Sequence, residues 1–252
     1  MAEDRGERTA LGNGGVDVWS VSLLVPFAPP RLDAILSASE ADALRRMAPG
    51  RRVRMGAAWA ARRLLIARYA GCAPVDVRFA RPAGRAPVLA WPDRELRFSF
   101  SHSYDRALLA LSTFPVGVDI ERVDRAVDCV RLAARFDANG EAEFLRSLPA
   151  AARSEAFARL WTRKEAVLKA AGGGVPSRLR RVSVPLGPAD GSAAGGSATS
   201  EGPLLPEPWF VRDLVAPPNY AAALATPAPA RVRQMEFDLL RDDADSAGAQ
   251  LV

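Results

Sequence analysis

The chain has 252 residues, 49% of them hydrophobic, enough to bury a core as one large domain or as two smaller ones of about 110 to 130 residues each. A formal charge of +5 favours anionic partners: phosphates, nucleic acid or an acidic protein. No apolar stretch approaches the roughly 20 residues that span a bilayer, residues 1–15 lack the apolar core of a signal peptide, and the two cysteines, Cys72 and Cys129, have neither metal-ligand spacing nor a disulfide framework, so a cytoplasmic protein away from membranes is expected.

In chain order, residues 1–15 read as a disordered polar tail. Val16–Val21 alternates apolar and polar and predicts a first strand. Ser37-Ala-Ser-Glu40 has the form of a capping box and predicts a short helix to about Met47, stopped near Pro49-Gly50. Ala57 to Tyr69 predicts a longer helix, closed by Gly71. Strands are expected at Val75–Phe79, Leu96–Ser101 and Ala107–Leu111, the last two joined by a turn over 103–106. After a strand in Val116–Val123 come helices near Val127–Ala134 and Glu141–Leu148, then a strong one from Ala150 to Ala171, halted by Gly172-Gly173-Gly174. Residues 186–208, rich in Gly, Ser, Ala and Pro, predict a flexible loop without a core. Trp209–Val215, Tyr220–Thr226 and Val232–Leu239 complete the strands, and 241–252 is a fraying tail. A seam near Phe114-Pro115 divides an N-terminal half, 16–114, from a C-terminal half, 115–240.

Chemistry concentrates in three places. Asp119 and Glu121 lie one residue apart in an apolar run, so a strand turns both carboxylates to one face and Val118 and Ile120 to the other. Paired carboxylates repel and resist desolvation, and a hard cation such as Mg²⁺ relieves both while keeping waters for a phosphate partner. An edge strand with a solvated polar face has the same pattern. On the strong helix, Phe157, Trp161, Glu165 and Lys169 form a stripe four residues apart. The two aromatics anchor that stripe inward and draw Glu165 and Lys169 with it, although an i,i+4 surface pair would read alike. Phe98-Ser-Phe-Ser-His-Ser103 ends a strand in Ser101 and His102, small donors suited to phosphate oxygens. Arginine carries nearly all the positive charge; the two lysines, Lys164 and Lys169, and the one histidine, His102, all fall in these segments. The cluster Arg45, Arg46, Arg51, Arg52, Arg54, Arg62 and Arg63 mostly solvates helix faces, with one or two available to clamp a phosphate.

Gly117-Val-Asp-Ile-Glu121, Trp161-x-x-Lys-Glu-Ala-x-x-Lys169 and Phe98-x-x-Ser-His-Ser103 together resemble the signature of the 4′-phosphopantetheinyl transferases, in the double-length type that activates surfactin synthetase. The resemblance runs from about residue 16 to 226. It implies an α+β fold of two similar α/β halves, a pseudo-duplication with the active site in the cleft between them, acting as a monomer. It implies transfer of 4′-phosphopantetheine from coenzyme A to a serine of an acidic apo carrier protein or domain, with Mg²⁺. By motif position Asp119, Glu121 and Glu165 resemble the metal ligands, and Glu165 also the base, so that it is ligand, base or both. Lys169 resembles the pyrophosphate-gripping residue, and Ser101 and His102 resemble coenzyme A phosphate contacts. Arg52 matches the 3′-phosphate arginine, with Arg54 as an alternative register. Arg85 falls in Gly84-Arg85-Ala86-Pro87, which departs from the family pattern by one extra residue, and Ser99 stands where asparagine is frequent. Two other classes fit part of the pattern: a Mg²⁺-dependent nuclease, disfavoured by the helical spacing of Glu165 and Lys169, and a non-catalytic basic binding module, which leaves the paired carboxylates unmotivated.

Overall fold

The computed structural model describes residues 11, 14–25, 29–80, 82–83, 87–92, 95–124, 126–138, 140–172, 176–187, 196–200 and 209–241. In chain order its elements are β1 (Gly15–Ser22), α1 (Pro29–Ile35), α2 (Ala38–Arg45), α3 (Pro49–Ala70), β2 (Arg78–Ala80), β3 (Val88–Trp91), β4 (Arg97–Ser103), β5 (Arg106–Ser112) and β6 (Gly117–Arg122). There follow α4 (Cys129–Arg135), α5 (Glu141–Ser147), α6 (Ala150–Ala170), β7 (Val182–Ser183), β8 (Gly196–Ser200), β9 (Trp209–Asp213), β10 (Tyr220–Thr226) and β11 (Arg231–Phe237). The fold is mixed α+β, as expected, and no described helix is long and apolar enough to cross a membrane.

One sheet has the order β11-β1-β5-β4 and the other β6-β10-β9-β8-β7, with β2 and β3 forming a separate ribbon. Helix α3 covers one face of the first sheet, burying Leu65 and Ile66 with Val21, Leu109 and Leu111. Helix α6 covers one face of the second, burying Val167 and Leu168 with Val211 and Ala223. A third cluster joins the sheets: Val16, Val18 and Leu108 from the first pack with Val118, Ile120 and Leu224 from the second. Strand alternation therefore sends Val118 and Ile120 into this shared core and Asp119 and Glu121 to the opposite face.

Local signals explain most boundaries, and the departures have physical causes. The capping box at Ser37 and Glu40 forms as read. Its glutamate also ties two helices together, because Glu40 pairs with Arg62 at 2.7 Å and Arg63 at 2.6 Å. Burial raises the Glu40 carboxyl pKa, but Arg63, the Ser37 amide and Arg62 together hold it below its ordinary value. Arg62 and Arg63 are thus buried structural cations rather than part of a solvated face. Pro49, expected near a helix stop, instead begins α3 eight residues before the predicted Ala57 start, since proline at a first helical position forfeits no intrahelical bond. Gly71 closes α3 in the left-handed conformation, with φ 67°.

The strand expected over Val75–Phe79 is a 3₁₀ turn at Pro74–Asp76 followed by β2, because the Asp76 and Val77 amides donate to the Ala73 and Pro74 carbonyls and Arg63 occupies the carbonyls of Pro74, Val75 and Val77. Within the predicted loop 186–208, Gly196–Ser200 is strand β8, paired with both β7 and β9; edge pairing with a neighbour supplied what composition did not. Residues 188–195 and 201–208 of that loop, most of the 1–15 tail and 242–252 lie outside the described residues. The last strand, β11, lies parallel to β1, so the chain returns from the second sheet to the first.

Candidate active site

The site begins at a glycine. Gly117 opens β6 flat against α6: a methyl group built there would overlap the Ala166 carbonyl oxygen and lie 2.5 Å from the Ala170 backbone nitrogen. Only a residue without a Cβ lets strand and helix backbones approach this closely. The approach delivers the end of α6 to the carboxylate face of β6. Lys169 Nζ donates to Asp119 Oδ1 at 2.6 Å and to the Val118 carbonyl at 3.3 Å.

The other side comes from β4, the edge strand of the first sheet, which runs beside β6, the edge strand of the second. Ser99, Ser101 and Ser103 alternate onto one face of β4 and bridge the two edges with their hydroxyls. The Val118 amide donates to Ser99 Oγ at 3.0 Å, and Ser101 Oγ donates to Asp119 Oδ1 at 2.6 Å. Ser103 Oγ donates to Glu121 Oε2 at 2.8 Å and accepts from the Arg122 amide at 3.1 Å. A hydroxyl donates and accepts at once, so a row of serines satisfies both carboxylates and backbone where a ladder is missing. Phe98 and Phe100 face the other way into the first core, with His102 stacked on Phe100 at 6.1 Å.

Charge is concentrated here. Asp119 is 3% exposed, and its second oxygen, Oδ2, is buried without a hydrogen-bond partner among the described residues. Burial, followed by the nearby Asp119 charge, raises the Glu121 pKa, with the Ser103 bond and Lys169 opposing. Glu165 is raised by the same two causes, again opposed by Lys169. His102 is lowered by desolvation and then by Lys169, Arg51 and Arg62, which favours its neutral form. Among the described residues no three His, Cys, Asp or Glu side chains converge closely enough to hold a metal ion, and the cation on Asp119 is Lys169. The residue types nevertheless suit a hard divalent cation: a buried carboxylate oxygen with no hydrogen-bond partner among the described residues, and two further carboxyls whose protonation is favoured by burial and then by the Asp119 charge.

The other candidates are placed as follows. Ser101 and His102, read as a pair, fall on opposite faces of β4. Arg52 donates to the carbonyls of Arg45 and Met47 at 3.1 and 3.0 Å, bracing the connection from α2 to α3. Arg54 lies 5.3 Å from the ring centre of Tyr104. Arg85 lies outside the described residues. Lys164 points away from Glu165 and forms a buried pair with Glu141 at 2.5 Å, joining α6 to α5. Sequence reasoning missed the pocket of about 230 Å³ beside Glu121, walled by Val127, Leu132, Phe157 and Trp161. The aromatic stripe was its visible signal, but Val127 and Leu132 reach it only through the path of the chain after β6. A larger cavity of about 510 Å³, lined by Glu155, Arg159 and the turn at 216–220, includes none of the site's carboxylates.

A lysine, carboxyls and a row of hydroxyls lie where the edges of two sheets meet, groups able to hold an anion and to exchange a proton. Residues 115–225 match the model of the 4′-phosphopantetheinyl transferase superfamily. The chain is 34% identical over 216 residues to the 4′-phosphopantetheinyl transferase HetI of a Nostoc species, spanning 83% of this chain and 86% of that one. It is 32% identical to the 4′-phosphopantetheinyl transferase psf-1 of Bacillus pumilus over 56% of this chain and 57% of that one. To the 4′-phosphopantetheinyl transferase Sfp of Bacillus subtilis it is 26% identical over 61% and 65%. The chain belongs to the 4′-phosphopantetheinyl transferase superfamily and is an enzyme of that class.

Proposed function

We propose that this enzyme moves the 4′-phosphopantetheine moiety of coenzyme A onto a serine hydroxyl of an acidic apo carrier protein or carrier domain, as a monomer and with Mg²⁺. The observation that carries this reading is the Asp119 carboxylate, buried between β4 and β6 with one oxygen on Lys169 and Ser101 and the other without a hydrogen-bond partner among the described residues. In this reading the two sheets, each with its long helix, are the two similar halves, divided near residue 115, and the substrate lies in the cleft at β4 and β6.

Asp119, Glu121 and Glu165 would hold Mg²⁺, which neutralises pyrophosphate charge when bound. The chain's own residues supply the rest. Lys169 presents an ammonium to the pyrophosphate and offsets charge growing on the departing adenosine bisphosphate. Glu165 takes the proton from the carrier serine, directly or through a water, as that oxygen attacks phosphorus. Ser101 and, from the opposite face of β4, neutral His102 act in this reading as coenzyme A phosphate donors, with Arg52 or Arg54 for the adenosine 3′-phosphate and Arg85 as a further coenzyme A contact. The apolar pocket at Phe157 and Trp161 accommodates the pantetheine chain, which carries no charge.

The test is to incubate the protein with coenzyme A, Mg²⁺ and several apo carrier domains and weigh the carriers by mass spectrometry. One phosphopantetheine per carrier is expected, abolished by a chelator. A panel of carriers left unmodified would overturn the reading, and cleavage of DNA under the same conditions would favour a nuclease instead.

A further inference from the structure

The turn between β4 and β5 carries a residue of the wrong kind for its conformation. Ser103 and Arg106 close the hairpin, leaving Tyr104 and Asp105 as its tip. Tyr104 has φ 51°, in the left-handed region where a side chain is strained and glycine or asparagine is usual. It is also 56% exposed, so burial of its ring does not offset that strain. Strain retained at one exposed residue points to a role for the side chain there.

The contacts of the ring supply that role. The Arg122 guanidinium, at the end of β6, lies 4.6 Å from its centre, and that of Arg54, on α3, lies 5.3 Å away. Both fall within the distance at which a cation is held by an aromatic face. One arginine belongs to the helix on the first sheet and the other to the edge of the second, so the ring joins the two sides. Asp105 extends the connection: its carboxylate accepts from the Tyr220 hydroxyl on β10, and its carbonyl accepts from the Leu23 amide at 2.8 Å. Immediately before the tip, Ser103 bonds Glu121 and the Arg122 amide.

We infer that Tyr104 is a positioning residue for the transfer reaction: gripped between Arg54 and Arg122, its ring clasps the hairpin tip to the second sheet and sets the spacing of β4 from β6. It touches no reacting atom and acts through Ser103 and Glu121. The inference rests on the reading that β4 and β6 are the two walls of the active site.

The test compares Tyr104→Gly, which relieves the strained φ and removes the ring, with Tyr104→Phe, which keeps the ring, both in the full-length protein. Melting temperature, amide hydrogen exchange, and kcat and KM with coenzyme A and an apo carrier are measured. Tyr104→Gly should melt no lower than the parent, since glycine is unstrained there. Its Val118 and Arg122 amides, both held by β4 serines, should exchange about tenfold faster while β1 and β5 amides keep their protection. Its kcat should fall about tenfold or more with KM little changed, and Tyr104→Phe should restore both exchange and rate. Unchanged exchange in Tyr104→Gly, or equal losses in the two variants, overturns the clasp. Faster exchange with an unchanged kcat leaves the clasp standing and overturns the placement of the active site across it.

Discussion

Asp119 shows how one residue's meaning depends on what surrounds it. In the sequence it is half of an alternating pair that a solvated edge strand explains equally well. In the fold it is buried, held by Ser101 and Lys169 through one oxygen, with the other oxygen lacking a hydrogen-bond partner among the described residues. A buried carboxylate with an unused oxygen costs stability unless a ligand completes it. Replacing Asp119 with alanine is therefore expected to abolish transfer while leaving the fold intact, because Lys169 is 21% exposed at its side chain and reaches water once its partner is gone. A rate loss of about a hundredfold or more, with an unchanged circular dichroism spectrum and a melting point no lower than the parent's, is the expected result. A collapsed spectrum would make the residue structural.

At the scale of elements, the site depends on one close approach. Lys169 and Glu165 lie on α6, and they reach β6 because Gly117 lets the helix backbone rest on the strand. Gly117→Ala forces a methyl group into the Ala166 carbonyl, so strand and helix must separate; a loss of about 1–3 kcal/mol in denaturant unfolding is expected, as for other overpacked contacts. Because the separation also lengthens the Lys169–Asp119 bond, kcat should fall in the same variant. Wild-type stability in Gly117→Ala would show that the interface gives way without cost. The serine row on β4 works with this contact: α6 presses on one side of β6, and Ser99, Ser101 and Ser103 hold its edge.

Over the whole molecule, the two sheets are joined by their shared core, by β4 against β6, and by the return of the chain to β1 through β11. That return is secured by a charged anchor. Asp17, 2% exposed in β1, is bound by Arg233 of β11 through two bonds of 2.7 and 2.6 Å and by the Tyr69 hydroxyl of α3 at 2.6 Å. Arg233→Ala removes one partner of a buried acceptor and is expected to lower unfolding free energy by about 1–3 kcal/mol, read by denaturant titration. A variant as stable as the parent would assign the hold on β11 to its backbone ladder alone.

Local pattern carried far in this chain. The strands at Val16 and Gly117, the capping box at Ser37, the left-handed stop at Gly71 and the extent of α6 follow from alternation, capping and glycine placement, all set by residues near in sequence. The three motifs bearing Ser101 and His102, Asp119 and Glu121, and Glu165 and Lys169 were visible for the same reason. The rest depends on contacts distant along the chain. Arg62 and Arg63 became buried partners of Glu40 more than twenty residues away. Gly196–Ser200 became a strand because β9 offered an edge, and Ser101 turned to Asp119 while His102 faced elsewhere because β4 came to lie beside β6. Composition and short-range period report what a segment prefers; which carboxylate meets which cation is decided by the packing of two sheets and two helices, where burial makes a misplaced charge too costly to keep.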